Sequence, residues 1–320
     1  MYRLRTSAET VPLVVTLLAH GCPLQALVVA VGFDERTVAA WLARAGQQGQ
    51  AGQAYRVEHP RDLGQVHADE IRVQKEGSVV WMALAMLVST RLWRAGEVRA
   101  PRDLPLIRRL SARGRACALN RPRLFCTDGW SADIRAIRAT CRDVVRTGTR
   151  GRPRCCPWTR ILMAQVVKRD AKRRVVAVER RLVQGSAAQV EQIRCRSPGA
   201  GLINTADLER RHATFRERRS SLTRRGRAWA RQAHTLPHGM YLSGTVSHFC
   251  TPHERLRVAR TAASVGRLER TPAMAAGIPD HGWSVQELLS FQGSPPRWRP
   301  PKRRGRPSWA MQRLIERWCS

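Results

Sequence analysis

The sequence is short of acidic residues, of paired cysteines and of long apolar runs. It has 24 Asp and Glu against 57 Lys and Arg, which gives a formal net charge of +33 over 320 residues. The apolar run at 79–88 is far shorter than the roughly 20 residues that cross a membrane. The nine cysteines include no Cys-x-x-Cys pair, which argues against a zinc ribbon or a disulfide framework.

The N-terminal region also lacks the signature of a secretory signal. Its apolar segment at 11–19 has no small-residue cleavage site and leads directly into helical patterning. We therefore expect a cytoplasmic protein with reduced thiols and no membrane contact.

The positive charge itself indicates a polyanionic partner. So many positive side chains repel one another in a compact state, and their binding to phosphates is favoured by the release of counterions. Most of the excess is arginine, whose planar guanidinium suits phosphates and base edges. A GC-rich coding bias toward arginine is the alternative explanation, but we favour double-stranded DNA as the partner.

Residues 1–55 have the pattern of a helix-turn-helix DNA-binding domain. Pro23 stands at the start of an apolar helix, Gly32 at a turn, and Asp34 at the N-cap of a second helix. This interpretation makes Arg36 and Arg44 the exposed DNA contacts. A plain helical hairpin is the alternative. The polar segment at 46–53 is predicted to be a flexible linker.

Residues 56–255 predict an α/β domain, a mixed sheet with flanking helices. Strands, then helix, strand and helix, follow one another along 63–145. The stretch at 146–200, with two predicted strands, is interpreted as an insertion. Leu208, Phe215 and Leu222 recur at a seven-residue spacing that predicts a long helix. Residues 256–320 are predicted to be a basic, partly disordered tail.

Three carboxylates occupy positions where a charge needs a partner. Asp69 lies within the first predicted strand, Asp128 at the end of a short one, and Glu209 beside the apolar stripe of the long helix. Strand alternation is expected to send Glu70 to the opposite face from Asp69. Convergent carboxylates are what Mg²⁺ or Mn²⁺ prefers, and two such ions can drive phosphodiester displacement.

The blocks VHADEI, LFCTDGW and LERRHATFRERRSSLTRRGRAW resemble those of bacterial insertion-sequence transposases of the DDE class, most of all the insertion-sequence-one family. The resemblance covers roughly 10–255. It implies a ribonuclease-H-like catalytic domain in which Asp69, Asp128 and Glu209 bind metal and catalyse DNA cleavage and strand transfer. It also implies a homodimer or higher oligomer on the transposon ends and target DNA. His212 stands where the family has Asn, and the family's N-terminal zinc-binding segment is missing.

Further arginines are predicted to hold DNA. Arg210, His212 and Arg216 surround Glu209, where they would contact the DNA backbone. Two Arg-Gly-Arg-Pro tetrads resemble the AT-hook core that follows the minor groove, although such tetrads also arise by chance in arginine-rich chains. Their arginines are Arg150 and Arg152 in the predicted insertion and Arg304 and Arg306 in the tail.

Two other functions are compatible with these residues. A metal-dependent, structure-specific nuclease would keep the fold and the acids but form no strand-transfer product. A catalytically inactive DNA-binding derivative would bind DNA without any effect of Mg²⁺.

Overall fold

The computed structural model of the chain contains one six-stranded sheet with helices on both sides. It describes residues 6–62, 64–119, 123–146, 148, 152–158, 160–171, 174–196, 203, 205–219, 222, 235–259, 266–293 and 308–318.

The N-terminal region is helical, as the sequence predicts. Its helices are α1 (Thr10–Ala19), α2 (Leu24–Val31) and α3 (Glu35–Gly52), and a π-helical turn, Gln53–Val57, follows. Helix α2 ends at Gly32, whose φ of +70° is a left-handed conformation that glycine adopts without steric cost. The Asp34 carboxylate accepts from the backbone N–H of Arg36 at 2.9 Å, which caps α3. The predicted helix pair with its glycine turn is confirmed.

The predicted linker at 46–53 is wrong, because most of it continues α3. Its glycines let this helix approach α8 (Thr235–Thr245) closely. A Cβ on Gly46 would lie 2.5 Å from the backbone of His238, and one on Gly49 would lie 2.8 Å from Thr245 Oγ1. The glycine-rich composition therefore serves tight helix packing in this segment and does not provide flexibility.

The sheet has the strand order β3-β2-β1-β4-β7-β8. Its members are β1 (Gln65–Lys75), β2 (Ser78–Leu87), β3 (Trp93–Arg99), β4 (Arg123–Thr127), β7 (Ile161–Ala171) and β8 (Arg174–Gln184). Strands β1, β2 and β3 are antiparallel, β4 is parallel to both β1 and β7, and β8 is antiparallel to β7. The sheet is therefore mixed, in agreement with the predicted class.

The interpretation of 146–200 as an insertion needs correction. Strand β7 pairs with β4 over five residues and is an interior strand of the sheet. The apolar side chains of its first half are buried, so this segment contributes to the central core. Between β4 and β7 lie α5 (Ser131–Thr140) and a two-stranded ribbon of β5 (Arg142–Val145) and β6 (Arg154–Pro157).

Helices cover both faces of the sheet. Helix α4 (Leu104–Ala116) packs with α5 on one face, where Leu106 and Ile137 are buried. Helix α7 (Ala206–Arg218) packs on the other face, where Leu208 and Phe215 contact β1 and β2 residues such as Ile71. Helix α6 (Ala187–Arg196) adds Val190 to a smaller cluster beside β4 and β7.

The N-terminal helices share their core with the C-terminal third of the chain. Val14 and Trp41 are buried in one cluster with Leu242, Phe249 and Leu288. After α8, the described residues form a π-helical turn (Val246–Cys250), a 3-10 turn (Glu254–Leu256), β9 (Val258–Ala259), β10 (Arg267–Leu268), α9 (Pro272–Ala275), α10 (Val285–Ser290) and α11 (Trp309–Trp318). In the described part of the chain, no helix has the length and apolar character needed to cross a membrane.

Candidate metal centre

Asp69 and Asp128 lie at the point where two parallel strands separate. The register between β1 and β4 runs from Gln65 opposite Leu124 to His67 opposite Cys126. Asp69 follows two residues after the last pair, and Asp128 directly follows the end of β4. Both carboxylates therefore project into the gap at the carboxyl end of β4, where ligands gather in open α/β sheets.

Glu70 joins this pair, which corrects the prediction that it would be kept apart. One carboxylate oxygen from each of Asp69, Glu70 and Asp128 lies within 4.8 Å of the others. Side chains along β1 do alternate between the two faces of the sheet, since Ala68 packs with α4 and α5 while Ile71 packs beneath α7. The carboxylates nevertheless meet because β4 has ended at this level and no longer separates the two faces.

Glu209 reaches the same cavity from helix α7. The cavity measures about 790 Å³ and is lined by Asp69, Glu70, Asp128 and Glu209. Thr205 Oγ1 donates to Glu209 Oε1 at 2.7 Å, and Lys168 of β7 forms an ion pair with the same carboxylate. Among the described residues, the compact group of three donors includes Glu70 and not Glu209. Glu209 lies at the mouth of the cavity, with 44% of its side chain exposed.

His212 and Arg216 line the cavity one and two turns beyond Glu209. His212 Nδ1 lies 3.4 Å from Asp69 Oδ2, and its buried Nε2 has no hydrogen-bond partner within the described parts of the chain. Burial, reinforced by the charge of Arg216, lowers the pKa of His212 to about 3. The imidazole is therefore neutral at physiological pH, and it can serve Asp69 as a hydrogen-bond partner.

Burial and the neighbouring acids raise the pKa values of Asp69, Glu70 and Asp133. Burial and then the charge of Glu70 raise the pKa of Asp69 to about 7, with smaller contributions from Asp128 and Glu209. Burial also raises the pKa of Glu70, against the opposing effect of Arg102. Asp133 on α5 lies behind the cluster, where burial and the charges of Glu70 and Asp128 raise its pKa to about 9. Such a site favours either bound protons or a bound cation.

Arg102 is a cation within this cluster that the sequence did not indicate. Its Nη2 donates to Glu70 Oε2 at 2.8 Å and to Asp128 Oδ2 at 3.1 Å. Its guanidinium lies over the rings of Trp130, at 4.3 Å from the centroid, and Trp81, at 5.1 Å. Only the tertiary fold brings these residues together, so no local sequence pattern could have identified Arg102.

Trp130 also positions Asp128. Its backbone N–H donates to Asp128 Oδ1 at 2.8 Å, in the turn that carries Gly129. Gln165 of β7 donates to the backbone carbonyl of Asp128 at 2.9 Å. The Thr-Asp-Gly-Trp block therefore holds one carboxylate oxygen by the backbone and leaves the other directed at the cluster.

No protein-family model matches this chain, and no curated protein shows significant similarity to it. The assignment of the site therefore rests on its chemistry. The donors are carboxylate oxygens, which hard divalent cations such as Mg²⁺ and Mn²⁺ prefer. Burial raises the pKa values of Asp69 and Glu70, and a nearby cation would favour their ionised forms. The group Asp69, Glu70 and Asp128 could thus hold a metal ion.

The other predicted DNA contacts that the structure describes do not lie at the acidic cavity. Arg36 and Arg44 are exposed on α3, and Arg152 is exposed before β6. Arg210 faces away from the acidic cavity, into a second cavity on the opposite flank of α7. Arg150, Arg304 and Arg306 lie outside the described residues. DNA binding by all of these arginines stays a prediction.

Proposed function

We propose that this chain is a DDE transposase, which cleaves transposon-end DNA and joins it to target DNA. One observation carries the proposal: Asp69, Asp128 and Glu209, separated by up to 140 residues in the sequence, line one open cavity. The strand order, with helices on both faces of the sheet, is compatible with a ribonuclease-H-like fold. The net charge of +33 supports a nucleic-acid substrate.

The residues of the cavity suit phosphodiester chemistry. Divalent ions, when bound, polarise the phosphate and activate a water or a 3′-hydroxyl for in-line attack. Asp69 and Asp128 would hold these ions, with Glu70 or Glu209 completing the set. Lys168 and Arg216 at the mouth are suited to contact the phosphates that flank the scissile bond. Arg102 would compete with a cation for Glu70 and Asp128, because it donates to both carboxylates.

The test is a strand-cleavage assay with supercoiled plasmid and with duplexes that carry the ends of the element. We expect nicking in Mg²⁺ or Mn²⁺ that is lost in chelator and in Asp128→Asn. Glu76→Gln, which removes an exposed carboxylate in the turn between β1 and β2, is the matched control and should retain activity. Glu70→Gln and Glu209→Gln, compared side by side, identify the third ligand.

The products separate the alternatives. Joined products with defined ends support a transposase, whereas nicking without joining supports a structure-specific nuclease. DNA binding with no metal-dependent nicking in any of these variants or in the unmodified protein would indicate the inactive DNA-binding derivative. Paired ends also require at least a dimer, which sedimentation of the protein–DNA complex would detect.

A further inference from the structure

A second cavity lies on the opposite flank of α7 from the acidic one. It has a volume of about 130 Å³, and its lining includes the four arginines Arg91, Arg210, Arg211 and Arg218. Ser247, Thr214 and Thr251 contribute hydroxyl groups to the same lining. The cavity therefore combines cationic and neutral hydrogen-bond donors around a small volume.

Helix α7 separates the two cavities by its periodicity. The second cavity, called the basic cavity below, is lined by residues of α7 that recur at spacings of three, four and seven: Asp207, Arg210, Arg211, Thr214 and Arg218. Glu209, His212 and Arg216, which also repeat at three and seven, line the acidic one. A helix with its side chains is about 10 Å across, so the two cavities are neighbours on one surface.

The arginines of the basic cavity carry more positive charge than the one carboxylate in its lining can neutralise. Asp207 is the carboxylate in its lining, and it forms ion pairs with Arg91 and with Arg255. Arg218 donates to Ser247 Oγ at 2.7 Å, which neutralises no charge. Within the described ranges, no ion pair involves Arg210, Arg211 or Arg218.

The guanidinium of Arg211 is a buried positive charge of the basic cavity. Only 9% of the residue is exposed, and its Nη2 donates to the backbone carbonyl of Arg91 at 3.3 Å. Burial, with the charge of Arg218, lowers the pKa of Arg211 to about 10. A buried guanidinium without a counter-ion destabilises the folded state, so the cavity gains most from an anion.

Arg91 supports the same conclusion through its backbone. It lies in the turn between β2 and β3 with a φ of +58°, and it is the non-glycine residue with a positive φ in the described part of the chain. This left-handed conformation is uncommon for a residue with a Cβ and is typically retained where a site requires it. Here it accompanies a buried side chain that enters the basic cavity.

We propose that the basic cavity binds a phosphate group and that its ligand is a backbone phosphate of the DNA that enters the acidic cavity. Guanidinium groups match the geometry of phosphate oxygens, and the hydroxyl groups add neutral donors. The choice of DNA as the source rests on the proposed function, while the phosphate chemistry of the cavity does not. A free phosphate is the other possible source of the same group.

The first experiment measures duplex DNA binding by fluorescence anisotropy in chelator, so that no cleavage occurs. Arg210→Gln and Arg218→Gln are compared with Arg135→Gln, which removes one exposed charge from α5 on the other face of the sheet. Loss of one phosphate contact lowers the slope of log K against log salt by about 0.9. We expect this decrease in the two cavity variants and a smaller one in Arg135→Gln.

The second experiment uses inorganic phosphate as the probe in thermal unfolding of the full chain. We expect phosphate to raise the melting temperature of the unmodified protein more than chloride at equal ionic strength, and the increase to shrink in Arg210→Gln, whose exposed side chain can be replaced without disturbing the core. Stabilisation by phosphate with unchanged DNA slopes would support the site and assign its ligand as free phosphate.

Equal slopes in all three variants together with no phosphate-specific stabilisation would overturn the proposal. Failure of the proposed function would look different. It would appear as absent nicking by the unmodified protein, while the differences in DNA binding between the cavity variants and Arg135→Gln persist.

Discussion

Replacement of Asp69 by asparagine is expected to stabilise the metal-free protein while abolishing its proposed activity. Burial and the charge of Glu70 raise the pKa of Asp69 from 3.8 to about 7. The folded state therefore binds the proton more tightly than the unfolded state. Asparagine reproduces the shape of the protonated carboxyl, and its amide oxygen can still accept from the backbone N–H of Glu70, a contact of 2.8 Å.

The size of the effect follows from this pKa difference. Each pKa unit corresponds to about 1.4 kcal/mol, so ionised Asp69 costs the fold about 4 kcal/mol at pH 8, where both states are deprotonated. The cost decreases as the pH falls through 7, because folded Asp69 then takes up its proton. It is about 2 kcal/mol at pH 5 and disappears below 3.8. Only 19% of the side chain is exposed, so solvent screening is limited.

Urea unfolding in chelator at pH 8 and pH 5 measures this difference. Asp69→Asn should gain about twice as much stability at pH 8 as at pH 5, whereas the exposed Glu76→Gln should change by less than about 0.5 kcal/mol at either pH. Addition of Mg²⁺ should stabilise the unmodified protein and leave Asp69→Asn nearly unaffected. A variant no more stable than the parent at pH 8, or equally stabilised at both pH values, would refute the electrostatic argument.

Two further substitutions test the packing and the pH dependence of the fold. Gly46→Ala should destabilise the protein by about 1–3 kcal/mol in urea unfolding, because the added methyl group would overlap the backbone of His238. Gly52→Ala on the same helix should stabilise the protein by up to about 1 kcal/mol, because the nearest atom to its methyl group would be 4.0 Å away. An equal gain in both variants would contradict the close approach of the helices. Burial and the charge of Arg211 hold the pKa of His248 well below 6.5, so the unfolded state takes up the proton first and the protein loses stability below that pH. His248→Gln, measured by urea titrations between pH 5 and 8, should therefore gain about 1.4 kcal/mol on the parent for each pH unit below 6.5, and parallel pH profiles would exclude a neutral buried imidazole.

The local elements could be predicted from the sequence because their signals are local. Pro23, Gly32 and Asp34 delimit two helices through their own backbone preferences and capping bonds. A continuous apolar run marks β2, and the seven-residue spacing of Leu208 and Phe215 marks one face of α7. The predicted helix is longer than the observed one, because α7 ends at Arg218 and Leu222 lies beyond it. The helical spacing arises from the period of the helix, which requires no knowledge of distant contacts.

Two predictions from the sequence were wrong at places where distant segments pack together. Composition suggested a linker at 46–53, yet those glycines are packed against α8. The strand at 161–171 was assigned to an insertion, although it pairs with β4 in the middle of the sheet. Pairing depends on which apolar surfaces are available after collapse, and a one-dimensional pattern does not contain this information.

The sequence by itself determined the charge of the protein, the order of its strands and helices along the chain, and three of the four acids that line the acidic cavity. Only the tertiary structure decided that Glu70 joins Asp69 and Asp128, since the end of β4 opens a gap that both faces of β1 can reach. It also placed Arg102 between two of the acids and gathered four arginines on the far flank of α7. The physical reason is that electrostatic sites depend on distances between side chains, and the fold sets those distances.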